Sequence, residues 1–244
     1  MKYPIQIVGA GPGSVELLTL QAHRILLDAQ IILYDHLVSQ DILAMNSQAK
    51  KIYVGRSAGD RTSQSHRQNH IHQLMEKYFL QGKKVLRLKS GDVLIYGRAA
   101  EDMKFLSQKK IPFQIVPGLS SGLAAASLCQ IPLTERTKIH AAVIATAQTV
   151  GNISLEEHIK NLNSILEKGN TIILYMASRK FPQLAKCWEQ YPNPPQIHAI
   201  SHVSLPTQKH ITGNAQEILQ QIQKKKLVPP LIFIIQQHNP ATSP

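Results

Sequence analysis

Apolar residues recur along this chain at two alternating periods. Residues 5–8, Ile-Gln-Ile-Val, form a short strand-like run closed by Gly9-Ala-Gly-Pro-Gly13. Leu18, Ala22, Ile25, Leu26 and Ala29 then fall at helical spacing. Residues 31–34 and 51–54 read as the second and third strands. Ile71, Leu74, Met75, Tyr78 and Phe79 mark an amphipathic helix that Gly82 stops. Residues 84–88 give a fourth strand, a helical pattern starts at Met103, and residues 113–116 give a fifth strand. A helix of small residues follows over 123–129. Pro132 biases its predecessor away from helix, so residues 131–136 read as an extended linker.

The alternation then restarts. Residues 140–145 are strand-like, and Leu155, Ile159, Leu162 and Leu166 make a helix face. Residues 171–175 are the next strand, and Phe181, Leu184, Ala185 and Trp188 the next helix, broken by Tyr191-Pro-Asn-Pro-Pro195. Residues 197–203 and 209–212 read as paired strands around Pro206. Ala215, Ile218, Leu219 and Ile222 form the last helix, and residues 231–235 the last strand. Strands alternating with helices predict an α/β fold. Two α/β lobes of similar size, residues 1–134 and 135–244, imply a cleft between them, a common place for a ligand.

Composition narrows the classes. The 244 residues are 43% hydrophobic and 17% charged, which predicts a packed globular protein. No apolar run approaches the length of a membrane span. The chain starts straight into a strand, with no secretory or transit pattern, so a cytoplasmic location is expected. Cys129 and Cys187 sit in no paired motif, which argues against a disulfide framework and a cysteine metal site. The net charge of +12 favours anionic partners, either nucleic acid or a small polycarboxylate. The charge is scattered, its densest run (Lys224-Lys225-Lys226) ends a helix, and 5% aromatics offer little base-stacking surface. Charge alone does not decide between these two partners, and no membrane partner is expected.

The glycine loop after the first strand resembles a dinucleotide fingerprint, but Ser14 stands where its third glycine belongs and Pro12 removes a backbone donor. His66, His70 and His72 cluster at the start of a helix without a cysteine or carboxylate to complete a metal set, and read as a solvated face. The stretch from Arg87 to Asp102 is richer. After a strand it places Ser90-Gly91, the carboxylate Asp92 and the cation Arg98 ahead of a helix, and Gly91 allows backbone to approach a ligand closely.

Several motifs occur in order: Val8-Gly-Ala-Gly-Pro-Gly13 with Glu16-Leu-Leu-Thr-Leu20, Tyr34-Asp35-His-Leu-Val-Ser39, Tyr53-Val-Gly55, Val85-Leu-Arg-Leu-Lys89 with Gly91-Asp92 and Gly97-Arg98, Val116-Pro-Gly118, Ile131-Pro-Leu-Thr134 with Arg136, Tyr175-Met176, Pro206-Thr-Gln208 and Thr212-Gly213. In this order the chain resembles the tetrapyrrole methylases, most of all the branch that methylates uroporphyrinogen III. The resemblance implies a two-domain α/β fold, distinct from the doubly wound Rossmann methyltransferases. It implies S-adenosylmethionine in the cleft between the domains, a small-molecule tetrapyrrole substrate with no nucleic-acid partner, and a homodimer. By position it assigns cofactor contacts to Pro12, Ser90, Gly91, Asp92, Ser120, Ser121, Met176 and His198. The implied reaction methylates uroporphyrinogen III at C2 and C7, giving precorrin-2 and S-adenosylhomocysteine on the route to siroheme or cobalamin, without a metal.

Methyl transfer from a sulfonium demands mainly positioning, and the acceptor's eight carboxylates suit cationic clamps. Arg98 and Arg136 are the candidates for this, with Glu101 orienting Arg98 or moving the departing proton. Without the surrounding motifs, either arginine would be read as a surface ion pair. The chain departs from the family pattern at Ser90, Val93, Ala99 and Ala100. It also departs at Gln148, which replaces a histidine, and at Ser201, Val203 and Gln236, which replace a glutamate and two glycines. These changes leave two alternatives: another acceptor such as a later corrin precursor, or a protein that binds the cofactor without turnover.

Overall fold

The computed structural model describes residues 2–56, 63–149, 153–189, 191 and 193–237. They form two compact units, Met1–Ser121 and Gly122–Pro244. The first unit runs β1 (Ile5–Gly9), α1 (Leu20–Asp28), β2 (Ile31–Tyr34), α2 (Gln40–Ala44), β3 (Lys50–Tyr53), α3 (Gln64–Leu80), β4 (Val85–Lys89), α4 (Ala99–Gln108) and β5 (Phe113–Val116). Its strands are all parallel, in the order β3-β2-β4-β1-β5. A parallel sheet is buried on both faces, so its strands are almost continuously apolar. On one face Ile5, Ile7, Leu33 and Val85 pack with Ile71, Met75 and Leu106 of α3 and α4. On the other, Val8, Ile32, Leu86 and Leu88 pack with Ala22, Leu26 and Ile42 of α1 and α2.

Helix starts follow local chemistry. Thr19, Ser39 and Ser63 accept hydrogen bonds from the backbone N–H groups of Ala22, Ile42 and His66. The helix α2 is five residues long, too short to show a period in the sequence. Ser39 Oγ also donates to the Gly13 carbonyl at 2.7 Å, tying α2 to the glycine loop. The helix α3 begins at Gln64, inside a stretch that reads as polar, because its first turns face solvent.

The second unit contains α5 (Ser121–Leu128, entering from the first), β6 (Ala142–Thr146), α6 (Leu155–Glu167), β7 (Thr171–Tyr175), α7 (Phe181–Glu189), β8 (Gln196–Ser201), β9 (Lys209–Gly213), α8 (Ala215–Lys224) and β10 (Leu231–Gln236). Its sheet is mixed, in the order β6-β7-β10-β8-β9, with only β6 and β7 parallel. The strands 197–203 and 209–212 expected around Pro206 do pair, antiparallel, with Ile197 opposite Gly213. One apolar cluster joins the sheet to α6, α7 and α8, and in it Phe181 stacks on Phe233 at 4.3 Å. An Asn214–Glu217 capping box starts α8.

The units divide at Ser121/Gly122, ahead of the 131–139 segment where the sequence pattern changes. The reason is that α5 packs on the second sheet: Gly122 N donates to the Tyr175 hydroxyl at 2.8 Å, and a Cβ on Gly122 would strike Ile173 and Tyr175. Residue Pro132 is held there too, its carbonyl accepting from Gln236 Nε2 at 2.7 Å.

The tightest contact of the first unit lies at the ends of β1, β4 and β5. A Cβ on Gly9 would sit 2.6 Å from Gly118 N and from Gly91 O, and one on Gly118 would strike Gly91 O and lie 2.7 Å from Gly9 Cα. Every obstructing atom is backbone, so no side chain can yield. Gly118→Ala should therefore cost about 3 kcal/mol of stability. Gly82→Ala, left-handed but in open space, should cost only about 1 kcal/mol. Denaturant midpoints of the two variants check this ranking.

Candidate functional site

The same crossing brings most of the first unit's candidates together. Ala10 N donates to Lys89 O at 2.7 Å, Gly11 N to Gly91 O at 3.2 Å, and Gly91 N to Gly11 O at 2.7 Å. The loop after β1 thus lies back to back with the loop after β4, with Pro12 next to the paired Gly11. The Ala10 and Gly11 amides are spent on this pairing and Pro12 has none, so these three residues offer no backbone donor to a pyrophosphate. Gly91 takes φ +66°, and a Cβ there would meet only Ser121 N, at 4.0 Å. This glycine is required by its backbone angle, and the space beside it is open. Asp92 Oδ1 accepts from Leu94 N at 2.8 Å and Oδ2 from Gly118 N at 3.2 Å. Its carboxylate therefore shapes the 90–94 loop and links it to the segment that leads to Ser120, which is buried, and Ser121, which is partly exposed. A carboxylate has lone pairs beyond these two contacts.

Arg98 and Glu101 also come together. Arg98 is the N-cap residue of α4 but makes no side-chain cap, and it adopts φ +55°. Its guanidinium instead grips Glu101 with two bonds, Nε to Oε1 at 2.6 Å and Nη2 to Oε2 at 2.5 Å. Both side chains are partly exposed, so the pair remains accessible to a ligand.

Beneath this pair lies a group of buried charges that the sequence did not single out. Arg87, Lys89 and Asp102 are 2%, 3% and 0% exposed. Arg87 Nη2 donates to Asp35 Oδ1 at 2.6 Å, and Lys89 Nζ lies 3.0 Å from Asp102 Oδ2. Asp102 Oδ1 accepts from Gln68 Nε2 at 2.5 Å and lies 3.3 Å from His72 Nε2. Burial, then the charge of Arg87, lower the Lys89 pKa. Burial opposes ionisation of Asp102, yet the His72 hydrogen bond and the Lys89 and Arg87 charges outweigh it and lower its pKa. The signal was present in the sequence as two cations at i, i+2 in a strand that should be apolar. The solvated-face expectation for the histidines needs one correction. His66 and His70 are exposed, but His72 turns inward toward Asp102 and stacks on Phe105 at 4.3 Å.

The second unit's candidates are more dispersed. Met176 follows β7 with φ +54° and a 48% exposed side chain. Its carbonyl accepts from Gln148 Nε2 at 3.2 Å, so the residue at the family's histidine position holds the strained peptide. His198 on β8 pairs with His210 on β9, ring nitrogens 3.1 Å apart. It lines a cavity of about 600 Å³ together with Cys129, Pro132, Glu135, Thr171 and Gln236, and Met176 is not among the lining residues. Arg136 is exposed in a turn closed by backbone hydrogen bonds between Glu135 and Ile139.

Burial, and then the neighbouring His210, push the His198 pKa down to about 4. Burial and then Lys225 also lower that of His210. The folded state therefore holds both rings neutral, while the unfolded chain takes up protons first as pH falls below about 6.5. Stability from these groups is complete above that pH and declines toward pH 4. His198→Gln should flatten the decline, and adding His210→Gln should flatten it further. Denaturant midpoints at pH 7 and pH 5 measure this.

Comparison with known proteins agrees with this architecture. The family model for tetrapyrrole (corrin/porphyrin) methylases matches residues 4–219. A siroheme synthase of Actinobacillus pleuropneumoniae serotype 7 is 34% identical over 233 residues, which are 94% of this chain and 46% of that protein. One from Nitrosomonas europaea is 36% identical over 237 residues, 95% and 48% of the two chains. The chain thus spans about half the length of the curated relatives it matches. A cobalt precorrin-4 methyltransferase shares the fold with TM-score 0.82 at 22% identity, covering 96% of this chain and 94% of its own. A uroporphyrin-III C-methyltransferase of Thermus thermophilus, solved with S-adenosyl homocysteine, superposes with TM-score 0.73 at 27% identity over 96% of this chain and 92% of that one. The chain belongs to the tetrapyrrole (corrin/porphyrin) methylases.

Proposed function

We propose that this protein methylates uroporphyrinogen III at C2 and C7, using S-adenosylmethionine and giving precorrin-2. The observation that carries the reading is that one loop and helix start, residues 90–101, joins the open backbone at Gly91 to the accessible Arg98–Glu101 pair. The residues fit the cofactor: beside Gly91 there is room that a Cβ would occupy, with the polar residues Ser90 and Asp92 adjacent in the chain and the Ser121 backbone nitrogen 4.0 Å from that Cβ position. When bound, S-adenosylmethionine supplies an electrophilic methyl group and leaves as S-adenosylhomocysteine.

In this reading Pro12, Ser90, Gly91, Asp92, Ser120 and Ser121 hold the cofactor from the first unit. Met176 and His198 are its expected contacts from the second. Asp92 keeps the 90–94 loop in shape and offers its remaining lone pairs to the cofactor's ammonium. Arg98 uses two donors on Glu101 and keeps others for an acceptor carboxylate. A guanidinium is a poor base, so the proton that leaves the acceptor is taken or passed on by Glu101. Arg136, exposed in its turn, supplies a second carboxylate clamp. A homodimer in the cytoplasm belongs to the same reading. Among the described residues no helix is long and apolar enough to cross a membrane.

A second reading, cofactor binding without turnover, is favoured by two positions. Gln148 is occupied by the Met176 carbonyl and cannot titrate, and Ser201 is 1% exposed with no hydrogen-bond partner for its hydroxyl among the described residues.

The deciding assay supplies enzymatically generated uroporphyrinogen III and methyl-labelled S-adenosylmethionine. A labelled dimethylated product is expected. Binding of S-adenosylhomocysteine without labelled tetrapyrrole would overturn the first reading for the second. Asp92→Ala should weaken S-adenosylhomocysteine binding on the order of tenfold, seen by calorimetry. Glu101→Gln should lower kcat on the order of 10²-fold with cofactor binding unchanged.

A further inference from the structure

We propose that Lys89 and Asp102 are a buried positioning pair that sets the peptide at Arg98, and through it the geometry of the Arg98–Glu101 pair. This rests on the role given above to Arg98 and Glu101. Neither Lys89 nor Asp102 is solvent-accessible enough to meet a substrate, at 3% and 0% exposure.

The argument starts from Arg98 itself. A non-glycine residue at φ +55° is held in a costly conformation, and it persists only where its surroundings over-determine it. Helix capping does not do so, because the Arg98 side chain makes no cap hydrogen bond. The peptide on its N-terminal side is held instead: Lys89 Nζ donates to the Gly97 carbonyl at 2.8 Å. The same ammonium lies 3.0 Å from Asp102 Oδ2, in the first turns of α4. One cation thus fixes the peptide before Arg98 and the carboxylate just beyond Glu101, and Arg98 and Glu101 are strung between the two fixed points.

The anchor is rigid from both ends. Lys89 ends the β4 strand, between β2 and β1 in the sheet. Asp102 is tied to α3 by Gln68 and His72, and His72 is wedged flat on Phe105 of α4. The 93–97 turn is closed as well, since a Cβ on Gly97 would strike the Val93 backbone. Geometry of this kind is what a methyl-transfer site needs, because a misplacement of about 1 Å can cost on the order of 10²-fold in rate.

Stability does not by itself require the charges. Burying Lys89 beside Arg87 opposes its ionisation. Well-packed apolar replacements of a buried ion pair are often neutral for folding, whereas removing one partner strands the other. This separates positioning from folding. The test compares wild type with the double variant Lys89→Met/Asp102→Leu, with Asp102→Asn as a second variant that keeps an oxygen toward Lys89 but removes its counter-charge.

Four measurements are made on each: steady-state kinetics with uroporphyrinogen III (kcat and KM), S-adenosylhomocysteine affinity by calorimetry, amide hydrogen exchange over residues 97–102, and the denaturant midpoint. The double variant should shift the denaturant midpoint only as far as Gln68→Ala does, since both remove the Gln68–Asp102 bond, and should bind S-adenosylhomocysteine within about twofold of wild type. It should lose kcat on the order of 10-fold to 10²-fold, and its 97–102 amides should exchange at least about tenfold faster. Asp102→Asn should lose less kcat than the double variant but more of the midpoint, because it leaves Lys89 buried without its counter-charge. Unchanged exchange and kcat would overturn the proposal, as would a fall in kcat matched by equal losses of cofactor affinity and midpoint. If wild type makes no methylated tetrapyrrole, the functional reading fails on its own. The exchange result then decides: protection lost only at 97–102 supports the positioning pair, and protection retained overturns it.

Discussion

Three glycines in backbone contact fix the functional end of the first unit. Gly9, Gly91 and Gly118 close the ends of β1, β4 and β5, and the Cβ positions of Gly9 and Gly118 are filled by main-chain atoms. Side-chain contacts can repack, but a contact among main-chain atoms has no such freedom. The consequence is that the loops after these strands share one geometry. The Gly11–Gly91 pairing and the Asp92–Gly118 hydrogen bond both follow from it. Gly91 differs from the other two in facing open space: a glycine there is required by the backbone angle and not by packing.

A second constraint runs beneath the loop. Arg87 and Lys89 bring two cations into a strand flanked on both sides by other strands, and Asp35 and Asp102 answer them. Such an arrangement is costly to bury and gains little net stability over apolar packing. What it provides is direction. Apolar contacts tolerate small shifts, whereas an ammonium shared by a carbonyl and a carboxylate fixes both at hydrogen-bond distance. The strained Arg98 peptide, the bidentate Arg98–Glu101 grip and the buried pair form one continuous unit from β4 to α4.

In the second unit Gln148 is a structural partner of the peptide at Met176. Gln148 has no titratable group, but its amide holds the Met176 carbonyl at 3.2 Å. Met176 has a left-handed backbone and an exposed side chain. His198 has also taken on a structural relation: its ring faces His210, and burial keeps it neutral near physiological pH.

Strand and helix order was legible in the sequence because period and punctuation are local. The runs at 31–34, 113–116 and 171–175 coincide with β2, β5 and β7, and the motif order placed the chain in its family. The short α2 and the early start of α3 were not legible, since five residues carry no period and exposed turns carry no apolar face. The ends at which Asp92, Arg98 and Glu101 fall were also fixed by local spacing. Their partners were not, for the physical reason that burial and pairing are properties of distant segments. Asp92 meets Gly118, Lys89 meets Gly97 and Asp102, and His72 turns from an apparent solvent face to an internal carboxylate. Sequence alone determined the alternation of elements and the chemical types available at each loop. Only the tertiary structure decided which glycines touch, which charges are buried, and therefore which side chains hold the site in place.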